Sequence, residues 1–255
     1  MLPYFRSMEA FFDLSLPKSW ADLSDPQLLF FFRQLATDKP KAEIQTLCLC
    51  QWSNVLVRCR LYGSVYLVQH GKQQATLTLH QIVCAITAID FLKSFPPYPI
   101  RIRTIGKAAA IAADFQGVPF STFISTDNYY QGFLHTKNEA LLNHLATLLY
   151  PKVKSRYLTP PLLLNAFYWF SSLKKYLARL FPHFLQPMSS SSEDLLGYAP
   201  PIGEVLRTAM NAQIRALTRG DITKEEAVLS MDTWRALTEL DAKAKEVEDI
   251  KRQTK

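Results

Sequence analysis

The sequence predicts a mostly helical α+β protein: a small antiparallel β-sheet packed by helices, followed by a C-terminal αα-hairpin with a long last helix. Apolar residues recur every three to four positions over 138–150, 160–181 and 203–251, the spacing of one buried helix face. β-Branched and aromatic residues concentrate over 55–79 instead, interrupted by the turn pairs Gly63-Ser64 and Gly71-Lys72. A Pro- and Ser-rich stretch over 187–202 separates a core domain, 1–186, from the hairpin, 203–255. With 255 residues, 48% of them hydrophobic and 20% charged, the chain is too apolar for disorder and long enough for a substantial core.

Ser24-Asp25-Pro26 marks the first helix: a short polar side chain accepts the free amides, and Pro at the first turn has none to leave unsatisfied. The apolar run from Leu28 to Leu35 makes that helix largely buried. A second helix is expected over Pro40–Gln51. Val55–Tyr62, Val65–His70 and Ala75–Leu79 then read as three antiparallel strands. His80–Lys93 returns to helical spacing and stops at Pro96-Pro97.

Ile100–Ile105 alternates as a strand, Lys107–Asp114 has the composition of a short Ala-rich helix, and Asp127–Gly132 reads as a loop or helix end. Asn138–Tyr150 and the segment after Thr159-Pro160-Pro161 are amphipathic helices. In the C-terminal hairpin, Gly220 is the expected left-handed stop of the helix from Gly203. Thr223-Lys224-Glu225-Glu226 is the expected capping box of a last helix reaching Lys251.

The formal net charge of +7 is unevenly spread. Residues 140–192 hold six cations and no carboxylate, alongside Tyr150, Tyr157, Phe167, Tyr168, Trp169, Phe170 and Tyr176. Cations interleaved with aromatics suit nucleic acid, because phosphates need the charge and bases stack on the rings. Most of these aromatics nevertheless stand at core spacing. No run reaches the roughly 18 apolar residues that crossing a bilayer requires. The opening residues lack the basic start and apolar stretch of an export signal, so the expected location is the cytoplasm, with Cys48, Cys50, Cys59 and Cys84 reduced and buried.

Catalytic patterns are missing. His70, His80, His135, His144 and His183 form no pair at i, i+4, and Cys48-x-Cys50 with Cys59 lacks the paired knuckles of structural zinc. Gly106-Lys107 has neither the upstream Gly nor the following Ser/Thr of a phosphate loop. The expectation is a non-enzymatic protein with no cofactor and no metal.

The stripe Leu237, Leu240, Ala244 and Val247, with Trp234 on another side of the same helix, suits a partner helix or self-association. These five residues are the expected partner contacts. The alternative is a nucleic-acid binder using Lys152, Lys154, Arg156, Lys174 and Lys175. Residues 16–28, 128–134 (Asn-Tyr-Tyr-Gln-Gly-Phe-Leu) and 217–224 (Leu-Thr-Arg-Gly-Asp-Ile-Thr-Lys) resemble an uncharacterised family encoded by bacterial prophages and other mobile elements. That resemblance implies a phage-related role, such as virion or tail assembly, and no mechanism or site residue.

Overall fold

Helices dominate, and the sheet is small, as expected from the two periodicities. The computed structural model describes residues 16–37, 39–185 and 202–253. The chain divides into two compact units, one holding the residues up to Pro96 with Pro160–Asn165, the other Pro97–Thr159 with Ala166–Lys255. The expected boundary at 187–202 falls, but for its last residue, outside the described residues. The C-terminal helices fall in the compact unit that also holds Pro97–Thr159.

The first unit opens with α1 (Asp25–Leu35) and α2 (Lys41–Trp52). Gln27 Oε1 accepts from the Ser24 backbone N–H at 2.9 Å, completing the α1 start read from Ser24-Asp25-Pro26. Trp20 packs edge-on against Phe31 and Phe91 and donates its indole N–H to the Phe91 carbonyl at 3.0 Å. β1 (Val55–Tyr62), β2 (Val65–His70) and β3 (Gln73–Thr78) form an antiparallel meander in the order β1-β2-β3. Its core face carries Val55, Val68 and Leu77. α3 (Leu79–Thr87) starts at a reciprocal Thr78–Gln81 capping box and ends before the expected Lys93, the rest being a short 3₁₀ turn over Asp90–Lys93.

The second unit contains a two-residue hairpin, β4 (Thr104–Ile105) with β5 (Ala108–Ala109), around Gly106 at φ +61°. Ladder pairing takes the place of the Ala-rich helix expected from Lys107. α4 (Phe120–Thr136) runs straight through Asp127–Gly132, which composition alone suggests is a loop or a helix end. Two tertiary facts outweigh the poor local propensity. Tyr130 is buried against Phe167 and Phe170, and a Cβ on Gly132 would meet Leu141 of α5 (Glu139–Leu149) at 3.0 Å. Phe115, Phe123 and Phe170 form the aromatic centre, all almost fully buried.

α6 (Pro160–Leu180) begins after Thr159 as expected. α7 (Ile202–Thr218) ends at Arg219-Gly220, both at positive φ. The last helix is not continuous. Asp221, not Thr223, caps the next turn by accepting from the Thr223 N–H, and α8 (Glu225–Ser230) is separated from α9 (Thr233–Gln253). At the break the Met231 carbonyl accepts from the Phe120 N–H at 2.8 Å, and Asp232 accepts from the Gly117 N–H and caps Arg235 N. Backbone groups that a continuous helix would use internally are bonded to the 117–120 segment instead. Among the described residues no helix is long and apolar enough to cross a membrane.

Candidate functional site

α9 carries the five expected partner contacts, and the structure divides them. Thr233 is buried, accepts no exposure to solvent, and donates its hydroxyl to the Val118 carbonyl at 2.7 Å, fixing the start of the helix. Trp234 is half-buried, donates its indole N–H to the Asp114 carbonyl at 2.8 Å, and lies beside Tyr176 and Phe181. Leu237 and Leu240 are buried with Ala236. Leu237 and Leu240 therefore pack within their own unit, and Trp234 does so in part.

The same stripe then emerges. Leu237, Leu240, Ala244 and Val247 lie within about 80° of one another at 100° per residue. Exposure climbs from 3% at Leu240, through a half-buried Ala244, to 50% at Val247. Ile250, three residues on, is 62% exposed. Sequence patterning overlooked Ile250 because it drifts off the stripe, although its i+3 relation to Val247 was available.

A second line along α9 is occupied. The Asp241 carboxylate accepts from the His183 and Phe184 backbone N–H groups at 2.8 and 2.9 Å. Seven residues further, Glu248 meets the His183 ring at 3.0 Å. These contacts fasten the segment after α6 along one flank. Val247 sits about 120° round the helix from Asp241, away from that flank.

The basic segment is less available than its composition suggests. Lys174 makes a partly buried ion pair with both carboxylate oxygens of Asp127 on α4, at 3.0 and 3.1 Å. One cation of an acid-free stretch is thus neutralised from another helix, which no local pattern reveals. Lys175 is exposed. Lys152, Lys154 and Arg156 are exposed on the connection between α5 and α6, and the Arg156 guanidinium stacks 4.9 Å over the Tyr157 ring. Of the segment's aromatics Tyr157 is exposed, whereas Tyr150, Trp169 and Phe170 are core.

The described residues of the second unit border open cavities, two of them roomy. One, of about 630 Å³, is bordered by Ile111, Gln116, Val118, Thr122, Thr147 and Pro151. The other, of about 360 Å³, is bordered by Asn128, Tyr129, Leu141, Leu206, Arg207 and Met210. The first offers amide and hydroxyl groups, and the second a carboxamide, a phenol and a guanidinium. Both compositions suit binding better than proton transfer.

Among the described residues no three His, Cys, Asp or Glu gather as metal ligands. Cys48 is buried, and burial pushes its thiol up to about 12, but Cys59 and Cys84 are exposed, correcting the expectation that all four thiols are interior. No family model, curated protein or solved structure matches the chain.

Proposed function

We propose that this chain is a protein-interaction component that docks a partner helix along the end of α9. The observation that supports the reading is the rise in exposure along one apolar stripe, from buried Leu240 to half-exposed Val247. A helix whose apolar edge outlasts the cover of its own unit gains by burying that edge elsewhere, at about 25 cal/mol per Å². Mixed-sign residues around it, Lys243, Lys245, Glu246 and Asp249, would set the partner's register, in the manner of flanking positions in helical pairs. Contact residues in this reading are Ala244, Val247 and Ile250, anchored by the buried Leu237 and Leu240. Co-purification of the full chain and of a Val247→Asp/Ile250→Asp variant from the native host tests it: a partner retained by the first and lost by the second is the expected result.

Nucleic-acid binding is the second reading, favoured by the exposed Lys152, Lys154 and Arg156 around Tyr157. Lys174 drops out of it because Asp127 already neutralises it.

A further inference from the structure

A small recess of about 190 Å³ lies in the second unit between the end of α7 and the first half of α9. Leu217 and Met231 supply its apolar wall, and its other bordering residues are Arg219, Arg235, Glu239 and Lys243. Arg235, Glu239 and Lys243 stand four positions apart on α9, so each follows the last about 40° round the helix. Arg219 comes from the chain just after α7, at φ +56°. That left-handed backbone favours Gly over Arg, and the residue held there borders the recess.

The charges around the recess are not consumed by one another. Among the described residues no ion pair joins a carboxylate to Arg219, Arg235 or Lys243. Glu239 stands four residues before Lys243, the favourable order for a helix ion pair, and still makes none. The Asp232 carboxylate is taken by the Gly117 and Arg235 backbone N–H groups, and Asp221 is paired with Lys224. Lys243 is half-buried, which weakens the screening of its charge by solvent and salt. Three cations against one carboxylate leave the recess at a formal +2.

Size and charge select the occupant. Pockets that engulf whole small molecules run to about 300–1,000 Å³, so this one suits a single compact group. A formal +2 matches a dianion, and guanidinium forks match the paired oxygens of a tetrahedral oxyanion. Glu239 narrows the choice. A carboxylate at an anion site repels any ligand that has no proton to donate to it. Sulfate and fully ionised phosphate esters have none, whereas hydrogen phosphate keeps one O–H.

We propose that this recess binds inorganic phosphate as the HPO4²⁻ dianion, with Arg219, Arg235 and Lys243 donating to its oxygens and its own O–H donating to the Glu239 carboxylate. This goes beyond docking at the end of α9 and does not rest on it, since Ala244, Val247 and Ile250 lie outside the recess.

Titration calorimetry of the full chain at about pH 8 and constant ionic strength tests it with phosphate, sulfate and methyl phosphate. All three are mainly dianions under those conditions, and only phosphate keeps a proton. One phosphate should bind per chain, at least about tenfold tighter than sulfate or methyl phosphate. Arg219→Gln with Arg235→Gln should weaken phosphate at least about tenfold, while Val247→Asp should leave it unchanged. Glu239→Gln should close the gap by tightening sulfate, a gain that a misfolded variant could not show. No phosphate binding, equal binding of phosphate and sulfate, or a phosphate preference that survives Glu239→Gln would overturn the proposal. So would undiminished affinity in the double arginine variant. Equal binding of phosphate and methyl phosphate would overturn it too, by making a phosphate ester the occupant.

Discussion

Trp234 donates its indole N–H to the backbone carbonyl of Asp114 at 2.8 Å, joining residues 120 positions apart in sequence. Together with the Thr233–Val118 bond, it makes the start of α9 part of the core that holds Phe115 and Phe120. Deleting residues 203–255 is therefore expected to unfold the second unit, and near-UV circular dichroism of the truncated chain reads this directly. Trp234→Phe keeps most of the packing and leaves the Asp114 carbonyl without its donor. It should cost about 1–3 kcal/mol in urea unfolding.

Asp232 separates α8 from α9 and does two jobs at once, capping Arg235 N and accepting from Gly117 N. Asp232→Ala removes both acceptors and should destabilise the chain by about 1–3 kcal/mol. Asp232→Asn keeps one carbonyl oxygen as an acceptor and should recover part of that loss. Denaturant midpoints of the two variants compare them.

Thiol chemistry should follow burial. With an aromatic disulfide reagent, Cys59 and Cys84 should react in the native protein and Cys48 only on unfolding. Burial holds the Cys48 thiol neutral up to about 12, against 9.0 ordinarily, and pushes Cys50 in the same direction. The unfolded thiol ionises first, so stability is full below pH 9 and then falls, by about 1.4 kcal/mol per pH unit from Cys48 alone. Cys48→Ala should flatten that alkaline decline in melting temperature.

Asp221 has the opposite sign. Bonds from Thr223, then Lys224, hold its carboxyl down at about 2, against 3.8 ordinarily. Its contribution is present above pH 3.8 and is lost as the pH falls through about 2. Asp221→Asn should flatten the acid end of the stability profile.

If nucleic acid binds at the α5–α6 connection, three cations set its salt dependence. A slope of log affinity against log salt of about −2 to −3 is expected, since each phosphate contact contributes about 0.7 to 0.9. Lys152→Glu with Lys154→Glu should abolish the gel shift, and Lys174→Gln should leave it unchanged.

Elements with strong local signals were legible in the sequence. Ser24-Asp25-Pro26 began α1, the apolar spacing over 138–150 marked α5, Gly63-Ser64 and Gly71-Lys72 turned the sheet, and Gly220 followed α7. Elements decided by distant partners were not. Asp127–Gly132 is helical because Tyr130 and Gly132 fit against α6 and α5, and 223–251 breaks because Met231 and Asp232 bond to 117–120. At the candidate site, periodicity identified the apolar stripe of α9 but not where its cover ends. That point depends on residues 114–118 and 181–184, remote in sequence from the helix they touch.

Docking at the end of α9 is tested most directly by hydrogen exchange on the full chain, with and without the partner it retains from its host. Protection should rise at 244–250 and not at 233–240, which the chain's own core already shelters, and Val247→Asp should remove the change. Protection that leaves 244–250 untouched, or survives Val247→Asp, would contradict the account.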